Sequence, residues 1–148
     1  MKIDTILVPT DFSEDARRAL DTATELAKLF GSRIILLHAF RVDIPMTAPS
    51  LGGAFVLPEG FYLQLRSHAA LQVEELAKEA AKEGVKVTGV AIEQAPTTAI
   101  IEQAEILPAD LIVMGTRGLT GLKHVALGSV AERVVRLAPC DVLTVKAD

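Results

Sequence analysis

The sequence is poor in aromatics, cysteine and positive charge, and each shortage removes a class of function. Only 4% of the 148 residues are aromatic and none is Trp, which leaves no platform on which nucleic-acid bases could stack. The net charge is −4, so no basic field would gather a polyanion along a groove, and nucleic acid is not an expected partner. Cys140 is the sole cysteine, which excludes a disulfide framework or a thiolate metal centre within the chain. His38, His68 and His124 fall on different predicted elements without an H-x-x-H or H-E-x-x-H pattern, so a protein metal site is not expected. There is no G-x-S-x-G elbow, and Ser129 has no evident base partner. No run approaches the ~18 apolar residues of a membrane span, and Met1-Lys-Ile-Asp4 lacks the apolar region of a signal peptide. A cytoplasmic protein with no membrane partner is expected.

What the chain does contain is aliphatic. Half of it is hydrophobic, and a single domain over residues 1–148 is long enough to bury roughly 70% of its unfolded surface. Apolar strand-like runs at residues 3–9, 33–39, 86–92, 109–114 and 141–146 alternate with helix-like runs at 14–30, 59–83, 96–105 and 129–137. Ala16, Ala19, Leu20, Ala23, Leu26, Ala27 and Phe30 recur at helical spacing after the capping residues of Thr10-Asp-Phe-Ser13, and Gly31 supplies the stop. Phe61, Leu65, Ala69, Val73, Leu76 and Ala80 form a second helical stripe, and Pro96 is placed for the first turn of the third helix. Residues 41–57, with Pro45, Pro49, Gly52 and Gly53, show no period and read as a long loop. The alternation implies an α/β fold, with a mostly parallel open twisted five-stranded sheet and helices on both faces. Ligands in such sheets bind at the carboxyl ends of strands, where the winding reverses.

One segment concentrates glycine and positive charge. Gly115-Thr-Arg-Gly-Leu-Thr-Gly-Leu-Lys-His-Val-Ala-Leu-Gly-Ser129 holds four of the ten glycines, together with Arg117, Lys123 and His124. It lies between the fourth strand and the fourth helix. Glycine allows the backbone to approach a ligand closely, and a helix starting at Gly128-Ser129 aims free N–H groups at the loop. Arg117 could pair with phosphate bidentately and Lys123 as a point charge. The arrangement reads as a phosphate cradle. Asp11, just past the first strand, would share one crevice with this loop if the strand order is 3-2-1-4-5, and with Glu14 it also resembles a capping box.

The spacing Gly115-x-x-Gly118, nine residues, then Gly128-Ser129 resembles the nucleotide-binding signature of the universal stress protein family. Ile6-Leu-Val-Pro-Thr-Asp-Phe-Ser13, Leu36-Leu-His-Ala39, and Gly128-Ser-Val-Ala-Glu-Arg-Val-Val135 with Ala138-Pro-Cys140 resemble that family's other segments, in order. The resemblance implies a Rossmann-like sheet of order 3-2-1-4-5, ATP bound with Mg²⁺ across the ends of strands one and four, and homodimers paired through strand five, Val142-Leu-Thr-Val145. Carried over by position, it implies that Pro9, Thr10 and Asp11 border the nucleotide and that Ala39 meets adenine through its backbone. Met114, Gly115, Arg117 and Gly118 would hold ribose and phosphates, and Gly128, Ser129 and Val130 the phosphate tail. Ala131 departs from the pattern where many members carry a hydroxyl, and Asp141 stands where a proline is often found.

Three functions remain open on these residues. The first is an ATP-binding regulatory module that signals occupancy through the 41–57 loop or the dimer surface to a downstream protein. The second is a slow Mg²⁺-dependent ATP hydrolase in which Asp11 positions water. The third is an interaction module that works without nucleotide.

Overall fold

Burial on both sides decides which apolar runs become strands. The computed structural model describes residues 1–42, 58–119 and 127–147. Along them the chain runs β1 (Thr5–Pro9), α1 (Glu14–Phe30), β2 (Arg33–Phe40), α2 (Glu59–Ala81), β3 (Lys86–Glu93), α3 (Pro96–Ile106), β4 (Leu111–Gly115), α4 (Ser129–Leu137) and β5 (Asp141–Val145). The five strands form one parallel sheet in the order β3-β2-β1-β4-β5. β1 is central, pairing Thr5 with Arg33 on one side and Ile6 with Leu111 on the other. Its Ile6, Leu7 and Val8 are fully buried, which is why this strand reads as an uninterrupted apolar run.

Alternating side chains divide the core between two faces. Ile6, Val8, Ile34 and Leu36 pack against Ala19, Leu20 and Ala23 of α1 and against Val73 and Leu76 of α2. Leu7, Ile35, Leu37, Ile112 and Met114 pack against Ile100 of α3 and Val134 of α4. Each fully buried Leu, Ile or Val side chain contributes about 1.5–3 kcal/mol relative to exposure. α1 begins where the Ser13 hydroxyl accepts the Ala16 N–H and ends at Gly31, whose φ of 72° suits a residue without Cβ.

Most element boundaries match the periodicity, and the differences are local. β1 starts at Thr5 and β4 at Leu111, later than the apolar runs imply; just before them the Asp110 carboxylate accepts the N–H groups of Asp4 and Thr5, each at 2.9 Å. The stripe of α2 packs from Ala69 onward, but Phe61 is 42% exposed, since the first turns of α2 extend past the sheet core. The substitution of Asp141 for proline leaves β5 regular, with Asp141 pairing Leu111. Residues 43–57 of the expected long loop, and Lys123 and His124, lie outside the described residues.

Candidate functional site

β1 and β4 lie side by side and end at the same edge of the sheet, and a cavity of about 300 Å³ sits beyond them. Pro9, Thr10 and Asp11 line it from β1, and Ala39 with Leu37 from β2. Met114, Gly115, Arg117 and Gly118 line it from β4, and Gly128, Ser129 and Val130 from the start of α4. The fold therefore brings all eleven residues singled out in the sequence to one crevice. Sequence reasoning missed the opposite wall, where Pro96 and Ile100 of α3 contribute apolar surface, and the floor at Ala16 and Thr116. Ala131, fully buried, also lines it, so the missing hydroxyl leaves a methyl facing the cavity.

The turn after β1 is held by its own side chains. Thr10 extends the β1–β2 ladder, donating its N–H to the Leu37 carbonyl at 2.8 Å, while its hydroxyl oxygen accepts the Phe12 N–H at 3.1 Å. Phe12 has φ of 62°, an uncommon conformation for a bulky residue, and its ring packs 4.6 Å from His38. His38 Nδ1 lies 3.0 Å from the Thr10 carbonyl oxygen. A carbonyl can only accept, so Nδ1 carries the proton in this contact. His38 thus braces the turn from the sheet face opposite the cavity.

Asp11 does not cap α1; Ser13 does. Its two carboxylate oxygens tie the loops together instead, accepting the Ser13 N–H at 3.0 Å and the Leu119 N–H at 3.2 Å. A Cβ at Gly118 would stand 2.8 Å from Asp11 Oδ2, so a side chain there would have to displace the end of that carboxylate.

The glycine segment is anchored at both described ends. The Thr116 N–H donates to the Val145 carbonyl at 3.0 Å, continuing the β4–β5 ladder, and the Thr116 carbonyl accepts the Gly128 N–H at 2.6 Å. Gly128 is the N-cap of α4 and makes no side-chain cap bond. Ser129, Val130 and Ala131 of the first turn line the crevice, and their N–H groups have no intrahelical partner and carry the positive end of the helix dipole.

The Arg117 guanidinium is placed otherwise than a phosphate ligand would be. Its Nε lies 3.2 Å and its Nη2 3.4 Å from the Asp15 carboxylate, and Nη2 also donates to the Ala147 carbonyl at 3.0 Å. Burial pushes the Asp15 carboxyl up, but hydrogen bonds from Arg117 and Thr116 and the Arg117 charge outweigh it and hold the group below its ordinary 3.8. A carboxyl depressed in the folded state adds stability that is complete above the unfolded value and is lost as pH falls through the folded one. Asp15→Asn is accordingly expected to cost about 1–3 kcal/mol at neutral pH. On acidification below pH 4 the wild-type melting temperature should converge toward that of the variant. A gap that persists unchanged at pH 2.5, followed by circular dichroism, would contradict this assignment. Burial likewise pushes the Cys140 thiol up, helped by the charges of Asp141 and Asp110, which disfavours the thiolate form.

A parallel sheet wound in both directions, with a crevice at its switch point beside the start of α4, defines a doubly wound α/β protein whose crevice lies at the strand ends. The universal stress protein family model matches residues 2–146, and the chain belongs to that family. Universal stress protein MJ0531 of Methanocaldococcus jannaschii is 37% identical over 141 residues, covering 95% of this chain and 81% of that protein. The solved structure of protein MJ0577, from the same organism, superposes with a TM-score of 0.80 at 30% identity, covering 100% of this chain and 99% of that one. A universal stress protein solved in complex with cAMP superposes with a TM-score of 0.72 at 25% identity, covering 99% and 98%.

Proposed function

We propose that this chain is a nucleotide-binding regulatory protein that takes ATP in the crevice between β1 and β4. The observation that carries the reading is the α4 N-terminus, whose first-turn residues Ser129, Val130 and Ala131, with N–H groups that have no intrahelical partner, line a cavity of about 300 Å³ beside Gly128. The cAMP complex of the related protein supports an adenine nucleotide as the ligand class. Leu37, Ala39, Pro96, Ile100 and Met114 provide an apolar wall for the base. Ser129 would donate its hydroxyl, and Ser129, Val130 and Ala131 their N–H groups, to the phosphate tail. Pro9, Thr10 and Asp11 would border the base and ribose, with Met114, Gly115 and Gly118 beneath. Arg117 would contribute through the backbone it holds.

The described residues fit the nucleotide but bring together no side-chain group that would hold a metal ion without it. Among them no cluster of three or more His, Cys, Asp or Glu side chains could hold a metal ion, and both Asp11 oxygens already accept backbone N–H groups. Mg²⁺ would arrive as the counter-ion of the nucleotide. Among the described residues that line the crevice, Asp11 is the single carboxylate able to position water, with no second general acid or base beside it, which favours occupancy over turnover as the signal.

Thermal unfolding with saturating Mg-ATP tests the reading. A ligand at about 100 times its dissociation constant stabilises the native state by about 2.7 kcal/mol, a rise of about 5–10 °C for a domain of this size. No rise with ATP, ADP, AMP or cAMP, from protein free of nucleotide, would remove it and favour an interaction module.

Homodimer formation through β5 belongs to the same proposal. β5 is an edge strand, with Leu143 38% exposed, and the adjacent α4 exposes Val135 and Leu137 at 50% and 58%. An open edge bordered by apolar side chains suits pairing with a second copy. Sedimentation equilibrium should show a dimer that Leu143→Arg converts to monomer. Monomeric wild-type protein at tens of micromolar would exclude this interface.

A further inference from the structure

Asp15 is the most heavily used polar group near the crevice, yet it does not line it. Its side chain is 7% exposed and sits behind the wall in the first turn of α1. Oδ2 accepts the Thr116 hydroxyl at 3.0 Å, the Arg117 N–H at 3.1 Å and Arg117 Nε at 3.2 Å. Oδ1 takes Arg117 Nη2 at 3.4 Å and the Ala147 N–H at 3.3 Å. One carboxylate thus collects donors from the turn after β4 and from the segment after β5, more than 100 residues away in sequence.

We propose that Asp15 is a positioning residue: through Thr116 and Arg117 it locks the turn carrying Gly115 and Gly118 to the chain leaving the edge strand, as one rigid unit. Arg117 is then part of the frame of the site and not a phosphate ligand. The side chain is 18% exposed, and swinging it toward a phosphate would strand the Asp15 carboxylate in the interior without its cationic partner, a costly exchange. The Thr116 carbonyl passes the constraint on, because it accepts the Gly128 N–H that starts α4. The glycine turn, the α4 start and the residues following β5 consequently move together or not at all.

The ligand readout of this proposal rests on the nucleotide reading above, and simple electrostatics predicts the opposite sign. Removing a negative charge close to the phosphates would tighten ATP binding; loosening the frame weakens it. Isothermal titration of the full chain with Mg-ATP and with adenosine, for wild type, Asp15→Asn, Arg117→Met and the double variant, separates the two. Each single variant should weaken both ligands, ATP by about tenfold and adenosine in the same direction, and the double variant should be no weaker than either single, as for residues in one network. Amide exchange at Arg117 and Ala147 should accelerate in Asp15→Asn while that of Ala23, deep in α1, holds. Tighter or unchanged ATP binding by Asp15→Asn overturns the proposal, as does a loss in Arg117→Met confined to ATP. If Asp15→Asn fails to fold, Thr116→Val removes one donor to the same carboxylate and carries the same comparison. If wild type binds neither ligand, the nucleotide reading falls and the exchange rates alone decide: unchanged rates at Arg117 and Ala147 reject the positioning role.

Discussion

Replacing Gly128 by Val and Ser129 by Ala together is expected to abolish the nucleotide-dependent rise in melting temperature while leaving the unliganded protein within a few degrees of wild type. Gly128 has φ −70° and ψ 163°, a conformation open to any residue, so Val introduces no backbone strain. A Cβ there would stand 3.1 Å from the Thr116 carbonyl oxygen and 3.6 Å from Arg117 Cα, close enough to require a shift of a few tenths of an ångström but not a rearrangement. Two further methyls then occupy the cavity wall where a phosphate would meet the α4 N–H groups. Ser129→Ala removes the one hydroxyl at the helix start, and Ala is the better helix former. The wild-type rise of about 5–10 °C at 100 times the dissociation constant should fall to nothing measurable. With no Trp in the chain, circular dichroism or calorimetry is the suitable probe. Undiminished stabilisation by ATP in the folded double variant would place the phosphates elsewhere.

Gly115→Val acts on the fold itself. A Cβ at Gly115 would stand 2.8 Å from both the carbonyl carbon and the Cβ of Asp15, and 3.0 Å from the Ala16 nitrogen. These atoms belong to the first turn of α1, so none can swing aside as a flexible side-chain end would; α1 must lift from β4. Overpacking alone costs about 1–3 kcal/mol. Displacing Asp15 also pulls its carboxylate from Arg117, and breaking a buried pair adds to that. A total of about 3–5 kcal/mol would lower the melting temperature by about 10 °C or more. Gly118→Ala is the informative contrast, because among the described residues the only atom its Cβ meets within 4 Å is Asp11 Oδ2, the end of a side chain that can rotate. A Gly115→Val protein melting within about 2 °C of wild type would mean that α1 and β4 do not meet as described.

Much of the fold was legible because its signals are local. The stripe of Ala16, Ala19, Leu20 and Ala23 declares an amphipathic helix from spacing alone, and Ser13 and Gly31 mark its ends with side-chain chemistry and φ preference. The apolar runs of β1, β2 and β4 announce strands buried on both faces. Long-range contacts were not legible, as at Asp110, whose carboxylate reaches across to the N–H groups of Asp4 and Thr5.

The candidate site divides along the same line. The glycine spacing and the Ser129 helix start are consecutive in the chain, so the sequence by itself determined that a loop of this kind follows the fourth strand. The eleven residues it marked do surround one cavity. The roles of the charged groups were decided only in three dimensions. Asp15 reads in sequence as an acid in the first turn of a helix, indistinguishable from Glu14, yet Glu14 is exposed and Asp15 is buried among donors from Thr116, Arg117 and Ala147. Arg117 reads as a cation available to a ligand and is already paired. The reason is physical: periodicity and capping depend on neighbours within a turn, whereas the partner of a charge depends on which strand ends lie side by side. The order β3-β2-β1-β4-β5 is what sets α1 against the turn after β4 and brings Asp15 to Arg117.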